Sequence, residues 1–170
     1  NKSLKSVKLD WKKMSSENRI CFLATGHPAL NLNDAMVLAC EEGHLDSVKA
    51  MVEGHDVEKT GMSVDEMVSK EGKLIRDGYS FTPLGMAVMK EQLEIVEYLV
   101  KTCTNKVDII GQTDSSDENS LHFAAQYSKK NVQTLQCLID NYNGKDIKTI
   151  INQNIKYGHT PLDTAYRWNK

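Results

Sequence analysis

The residues of this 170-residue chain that could support catalysis are its five histidines, its four cysteines and a few acidic clusters. Ser120 stands beside His122, but no Gly-x-Ser-x-Gly turn presents a serine as a nucleophile. Neither Gly-x-x-x-x-Gly-Lys-Ser/Thr nor Gly-x-Gly-x-x-Gly occurs, so the chain has no phosphate-binding loop of a known type. The sequence therefore predicts no catalytic residue and no cofactor.

Metal binding is not predicted either. The cysteines are 19, 63 and 34 residues apart, whereas zinc sites place them in close pairs. Asp114, Asp117 and Glu118 lack the Asp-x-Asp-x-Asp-Gly spacing of a calcium loop, so we expect them in a solvated loop. The cysteine spacing favours reduced thiols, and we expect an intracellular, cytoplasmic location.

Charge and hydropathy narrow the class of partner. The formal net charge is −2, so no overall positive field favours nucleic acid or an anionic membrane. The longest apolar runs are a few residues, far below the roughly 20 that span a bilayer. Nucleic acid and membranes are therefore not expected partners.

One short phrase recurs along the chain and indicates which elements position these residues. It reads Ser-Phe-Thr-Pro-Leu at residues 80–84 and Gly-His-Thr-Pro-Leu at 158–162, with weaker copies at 119–122 and 34–36. Threonine is a good helix cap, and proline suits the first helical position because its missing N–H is not needed there. Four helix starts are predicted, with the caps at Thr82, Thr160, Asn119 and Asp34.

Apolar residues follow each phrase at helical spacing. The run over residues 84–100 is the clearest, and the run over 36–52 matches it except that Ser47 stands opposite Ile95. The repeated unit is therefore a helix, a turn and a second helix. Stacked units of this kind usually form binding surfaces rather than catalytic pockets.

This pattern resembles the ankyrin repeat. Residues 158–162 fit its Gly-x-Thr-Pro-Leu opening, 121–125 its Leu-His-x-Ala-Ala centre and 43–45 its Gly-His-Leu turn. The resemblance implies an all-α solenoid of about four helix-turn-helix units, with long loop insertions and an incomplete last unit. The predicted units lie near residues 31–54, 77–103, 114–141 and 152–170, with an insert at 55–76 and a helical cap at 1–30 that covers the first unit. For the first thirty residues, a basic amphipathic helix is the alternative.

The chain departs from the family pattern in two ways. Its repeats are spaced by 48, 37 and 41 residues instead of about 33. Within the insert, an amphipathic stretch over residues 63–75 predicts a short helix. In addition, Gly85 and Asp163 replace the histidine that usually follows the leucine. The chain ends inside the first helix of the fourth unit, so further repeats are expected to follow.

The resemblance implies a non-catalytic protein-protein interaction module, either a scaffold or a targeting domain, that is monomeric and binds another protein. The alternative is the substrate-recruiting part of a larger enzyme, such as a ubiquitin ligase subunit, a kinase or a secreted bacterial effector. Ankyrin partners usually meet the hairpin tips and the exposed side of the first helices. The predicted partner-binding residues are Tyr79, Phe81, Met89, Lys90, Gln126, Tyr127, Tyr157, His159, Arg167 and Trp168.

Several of these positions have a second interpretation. Trp168 and Tyr157 could pack against a second helix of the fourth unit or a following repeat. Tyr79 and Phe81 could pack within their own hairpin or cover the long insert. Asn152 stands where ankyrin repeats often carry an asparagine that braces the hairpin, and where some are hydroxylated.

Overall fold

The computed structural model describes residues 32–55, 57–73, 80–127, 132–142, 147–155 and 158–168. Within these ranges the chain forms helices joined by short connections, together with two very short strands. In chain order the elements are α1 (Leu32–Glu42), α2 (Leu45–Glu53), α3 (Val57–Thr60), α4 (Val64–Ser69), β1 (Gly72–Lys73), β2 (Ser80–Phe81), α5 (Pro83–Met89), α6 (Leu93–Thr102), α7 (Lys106–Gly111), α8 (Ser120–Gln126), α9 (Val132–Asn141), α10 (Ile147–Ile151) and α11 (Pro161–Trp168). The predicted cap at residues 1–30 lies outside the described residues.

The helices of the repeated units form two rows. Helices α1, α5, α8 and α11 pack side by side in chain order, each against the next. Helices α2, α6 and α9 form the second row, and each also packs on the first helix of its own unit. The predicted all-α stack of helix-turn-helix units is therefore confirmed.

The core lies between the two rows, extends to buried residues of the connecting helices such as Met67 and Ile109, and stops at α11. Met36, Leu84 and Leu121, which occupy the same position in successive units, are all buried. Burying each of them stabilises the fold by about 1.5–3 kcal/mol. The fourth copy of this position, Leu162, is 70% exposed, and Tyr166 one turn later is 71% exposed. Among the described residues, α11 has no second helix packed on this face.

Three of the four predicted helix caps are confirmed. The Thr82 hydroxyl accepts a hydrogen bond from the Gly85 N–H at 3.0 Å, and the Asn119 side chain accepts from two N–H groups of α8. The Thr160 hydroxyl accepts from the Asp163 N–H at 3.1 Å. The prediction for Asp34 is wrong, because α1 begins two residues earlier, at Leu32. Asp34 lies in the first turn, where its carboxylate favours the positive end of the helix dipole.

The two replacements of the family histidine each have a local cause. His122 faces back toward its cap, and its Nδ1 lies 3.3 Å from the Asn119 N–H. Asp163 does the same in α11, where its carboxylate accepts from the Thr160 N–H at 3.0 Å. At Gly85, an added Cβ would lie 2.8 Å from the Thr82 hydroxyl and 3.2 Å from the Phe123 ring. The Phe123 ring therefore occupies the space that a side chain at Gly85 would need.

Short helices in the connections form a third row and account for the long repeat spacing. Helix α4 packs on α1, α5 and α7, and α7 packs on α5 and α8. The Asp65 carboxylate of α4 accepts hydrogen bonds from the backbone of Thr104 and Asn105, both at 2.9 Å, just before α7 begins. In the first two connections, the described extra residues of α4 and α7 thus build packed structure rather than open loops.

The helix predicted over residues 63–75 is only partly correct. Ser63 and Glu66 form a reciprocal capping box that begins α4, but the helix ends at Ser69 and the chain turns into β1. Strand β1 pairs antiparallel with β2, with Gly72 opposite Phe81. An added Cβ at Gly72 would overlap the Asn33 carbonyl. Only glycine fits there, because β1 lies directly against the first turn of α1.

Candidate partner-binding site

A cleft of about 240 Å³ opens where the third unit meets the fourth. Residues from α8 and the segment before it form one wall, and residues from α11 and the connection before it form the other. We call it the inter-unit cleft, and the residues that line it are Glu118, Gln126, Ile155, His159, Thr164, Arg167 and Trp168. Four predicted partner-binding residues, Gln126, His159, Arg167 and Trp168, therefore come together here.

The wall from the fourth unit is shaped by a tight turn and by α11. The Ile155 N–H donates to the His159 carbonyl at 2.9 Å, which places His159 beside the start of α11. Two turns along α11, an Arg167 guanidinium nitrogen lies 3.3 Å from Nε2 of His159. Trp168 follows directly and is 58% exposed. Arginine and tryptophan are residue types that often dominate binding energy at interfaces.

A buried polar network holds the two walls together. The Asn119 amide nitrogen donates to the Gln153 side chain at 2.8 Å. Nε2 of the fully buried His122 lies 3.3 Å from the His159 carbonyl. Nδ1 lies 3.3 Å from the Asn119 N–H and 2.9 Å from Asn119 Oδ1, so the neutral ring can accept from the first with its hydrogen on Nε2 or donate to the second with its hydrogen on Nδ1. Burial lowers the pKa of His122, which favours the same neutral form.

The wall from the third unit is negatively charged. Burial raises the pKa of the half-buried Glu118 carboxyl, and the Asp114 carboxylate raises it further. Asp114 is itself buried, and its Oδ1 accepts from the Glu118 N–H at 3.0 Å, which fixes the position of Glu118. The pKa of Glu71 is raised by burial and by the same Asp114. Burial raises the pKa of Tyr127, with contributions from Glu118 and then Glu91.

The other predicted residues lie along the same row of first helices but outside the cleft. Phe81 is half-buried, and its ring centroid is 6.3 Å from that of Phe123. Met89 is half-buried against the core. Lys90 is exposed and forms an ion pair with the buried Glu41 of the first unit at 3.2 Å. Much of the surface of Phe81 and Met89 is therefore used by the fold. Tyr79 and Tyr157 lie outside the described residues.

Asn152 and the three cysteines among the described residues do not line the inter-unit cleft. Asn152 is exposed, and its amide nitrogen donates to the Lys148 carbonyl at 2.8 Å within its own helix end. Cys40 and Cys103 are buried and Cys137 is half-buried, all as free thiols. Burial, followed by the nearby Asp65 carboxylate, raises the pKa of Cys103 to about 12. Such a thiol stays protonated at neutral pH and is a poor nucleophile.

The predicted partner-binding set omitted three residues of the cleft. Glu118 stands just before the cap of α8, and this position, shared by Phe81 and His159 in their own units, is the signal that identifies it. Ile155 and Thr164 have no such signal, because their exposure to the cleft depends on how far apart α8 and α11 pack. Two larger depressions of about 490 and 310 Å³ lie along the third row of helices. Neither is lined by a predicted partner-binding residue.

In the described part of the chain, none of the helices combines the length and apolar character needed to span a membrane. The same residues contain no group of three or more His, Cys, Asp or Glu side chains placed to hold a metal ion. A model of three ankyrin repeats matches residues 14–110 and, in a second overlapping match, residues 36–150. No curated protein matches the chain in sequence. With a family match over most of its length and a stack of helix-turn-helix units, the chain belongs to the ankyrin repeat family.

Proposed function

We propose that this chain binds a partner protein through the inter-unit cleft and the first-helix surface beside it. Ankyrin repeats are generally protein-protein interaction modules and are typically non-catalytic. The observation that carries the proposal is that Gln126, His159, Arg167 and Trp168, distributed over two units, line one cleft. Its walls are joined by the network of Asn119, His122 and Gln153, so binding requires little ordering of the protein, which favours affinity.

The size of the cleft favours a segment of protein over a small molecule. Pockets that enclose drug-sized ligands measure roughly 300–1,000 Å³, and this cleft is about 240 Å³. It therefore suits one large side chain of a partner, with the surrounding first-helix surface contacting the rest of the segment. Trp168 is the expected anchor, because an aromatic side chain contributes a large contact area at low entropic cost.

The test uses peptides selected from a random display library against the immobilised wild-type chain. We expect Trp168→Ala to raise the dissociation constants of the selected peptides about 30-fold, which corresponds to the loss of about 2 kcal/mol of binding free energy at an interface hot spot. The matched control is Tyr166→Ala on the same helix, because Tyr166 is exposed but does not line the cleft. Dissociation constants from fluorescence polarisation compare the two variants. Equal affinities for wild type and Trp168→Ala would rule out the cleft as the binding site.

A further inference from the structure

The inter-unit cleft has a carboxylate on one wall and an exposed indole on the other. The Glu118 carboxylate accepts no hydrogen bond from any described residue and lies within 4 Å of no described cation. Its backbone is fixed by the hydrogen bond to Asp114, so the side chain is held at the cleft with no hydrogen-bond partner in the part of the chain that the structure describes. Across the cleft, Trp168 is 58% exposed. An ammonium or guanidinium group pairs well with a carboxylate and is attracted to the face of an indole ring.

The charges around the cleft favour the same kind of group. Besides burial, the Asp114 carboxylate raises the pKa of Glu118 and also that of Glu71. The carboxylates of Glu118 and Glu91 raise the pKa of Tyr127 in the same way. Lys90 is already paired with Glu41. Among the described residues, negative charge therefore predominates on the third-unit side of the cleft, and it attracts cationic segments during encounter.

Arg167 is the one lysine or arginine among the described residues that line the cleft. By itself it would favour an acidic partner, but its surroundings make such a partner less favourable. One of its guanidinium nitrogens is engaged with Nε2 of His159. An acidic residue that approached Arg167 would also approach Glu118 and its neighbouring carboxylates. A backbone carbonyl of the partner, which carries no net charge, suits the remaining Arg167 donors better.

We propose that the inter-unit cleft receives a lysine or arginine side chain of the partner, held between the Glu118 carboxylate and the Trp168 indole. The partner segment is therefore basic at this position. This inference rests on the proposed function and adds the chemistry of the partner to it.

Peptides selected on the wild-type chain test the inference. The informative peptides are those whose binding becomes weaker when Trp168 is replaced by alanine. We expect these peptides to share a lysine or arginine whose replacement by alanine weakens binding at least about 10-fold, as for a charge-assisted hydrogen bond. Glu118→Gln, which keeps the side-chain shape, should weaken them by a similar factor. Affinity should also fall as salt rises. The matched control is Glu94→Gln, an exposed carboxylate on the second row of helices, and it should change affinity less than 2-fold.

Two outcomes would overturn the inference and are distinguishable. If Trp168→Ala weakens the peptides but they carry aspartate or glutamate and depend on Arg167 rather than Glu118, the cleft binds an acidic partner. The proposed function then stands and the basic partner is wrong. If Trp168→Ala has no effect on any selected peptide, both the cleft and its basic ligand are wrong. Thermal unfolding of Glu118→Gln shows that the variant is folded, and no loss of stability is expected, since no described contact of its carboxylate is removed.

Discussion

Glu91 has a left-handed backbone, with φ of +60°, in the turn between α5 and α6. Gly43 occupies the equivalent place between α1 and α2, with φ of +76°. In the first turn the Leu45 N–H donates a hydrogen bond to the Gly43 carbonyl, and in the second the Leu93 N–H donates to the Glu91 carbonyl, each at 3.1 Å. A left-handed conformation costs an ordinary residue about 1–2 kcal/mol, whereas glycine adopts it without steric penalty. The second unit therefore has the same turn as the first, but with a glutamate whose side chain makes the left-handed backbone at residue 91 strained.

We predict that Glu91→Gly stabilises the protein by about 0.5–1 kcal/mol. Glycine relieves the strain of the left-handed backbone, which stabilises the folded state. Part of this gain is offset because glycine loses more conformational entropy on folding than glutamate does. Thermal or urea unfolding measures it. Glu91→Gln is the control, because it removes the charge near Tyr127 but leaves the strained backbone. A Glu91→Gly protein that is no more stable than Glu91→Gln would contradict the assignment of strain.

At the scale of elements, the third row depends on one carboxylate. Asp65 of α4 accepts from two backbone N–H groups just before α7, and its Oδ2 lies 2.5 Å from the Thr104 hydroxyl. Although burial alone would raise it, these hydrogen bonds hold the pKa of Asp65 below its usual value. Asp65 therefore links the connection after the first unit to the connection after the second.

We predict that Asp65→Ala lowers the free energy of unfolding by about 1–2 kcal/mol, as for the loss of a helix cap. Asp46→Ala is the matched control, since Asp46 is an exposed acidic residue in the first turn of α2. Its loss should cost only about 0.3–1 kcal/mol through the helix dipole. Urea denaturation compares the two, and equal losses would show that Asp65 acts only as a surface charge.

At the scale of the whole molecule, His122 at the junction between the third and fourth units makes the free energy of unfolding depend on pH. The sign of this dependence can be predicted. The folded pKa of His122 lies below that of an exposed histidine, about 6.5, because the ring is buried. The unfolded chain therefore binds a proton more readily than the folded one. The contribution of neutral His122 to stability is therefore fully present above pH 6.5, and it is lost as the pH falls through the lowered pKa of His122 in the folded protein.

We expect His122→Gln to be less stable than wild type at pH 7.5 by about 1–3 kcal/mol, through loss of buried hydrogen bonds. The difference should shrink toward pH 5, because only the wild type carries the proton penalty. The carboxylates of Asp114, Glu118 and Glu71, whose raised pKa values give the opposite slope, are present in both proteins and cancel. Unfolding free energies at several pH values test this. A difference that does not vary with pH would show that His122 is not held neutral.

Local sequence patterns were enough to predict three of the four repeated helix starts and the buried positions that follow them. Thr82, Pro83 and Leu84 show why, since a cap, a favoured first residue and an apolar stripe all act within one turn of helix. The same local chemistry failed at Asp34, which lies within the first turn of α1 and not at its cap. The stack, the family and the general binding role followed from this repetition.

The inter-unit cleft and the third row depend on contacts between residues that are distant in the chain, which local patterns do not predict. Glu118 and Trp168 are far apart in the chain, and they share a cleft because α8 and α11 pack side by side. Position 72 must be glycine because β1 lies directly against the Asn33 carbonyl of α1, a contact that the residues around Gly72 do not reveal. Local patterns act through hydrogen bonds and dihedral preferences within a few residues, whereas a cleft, a close approach or a shifted pKa depends on what lies across the interface between units.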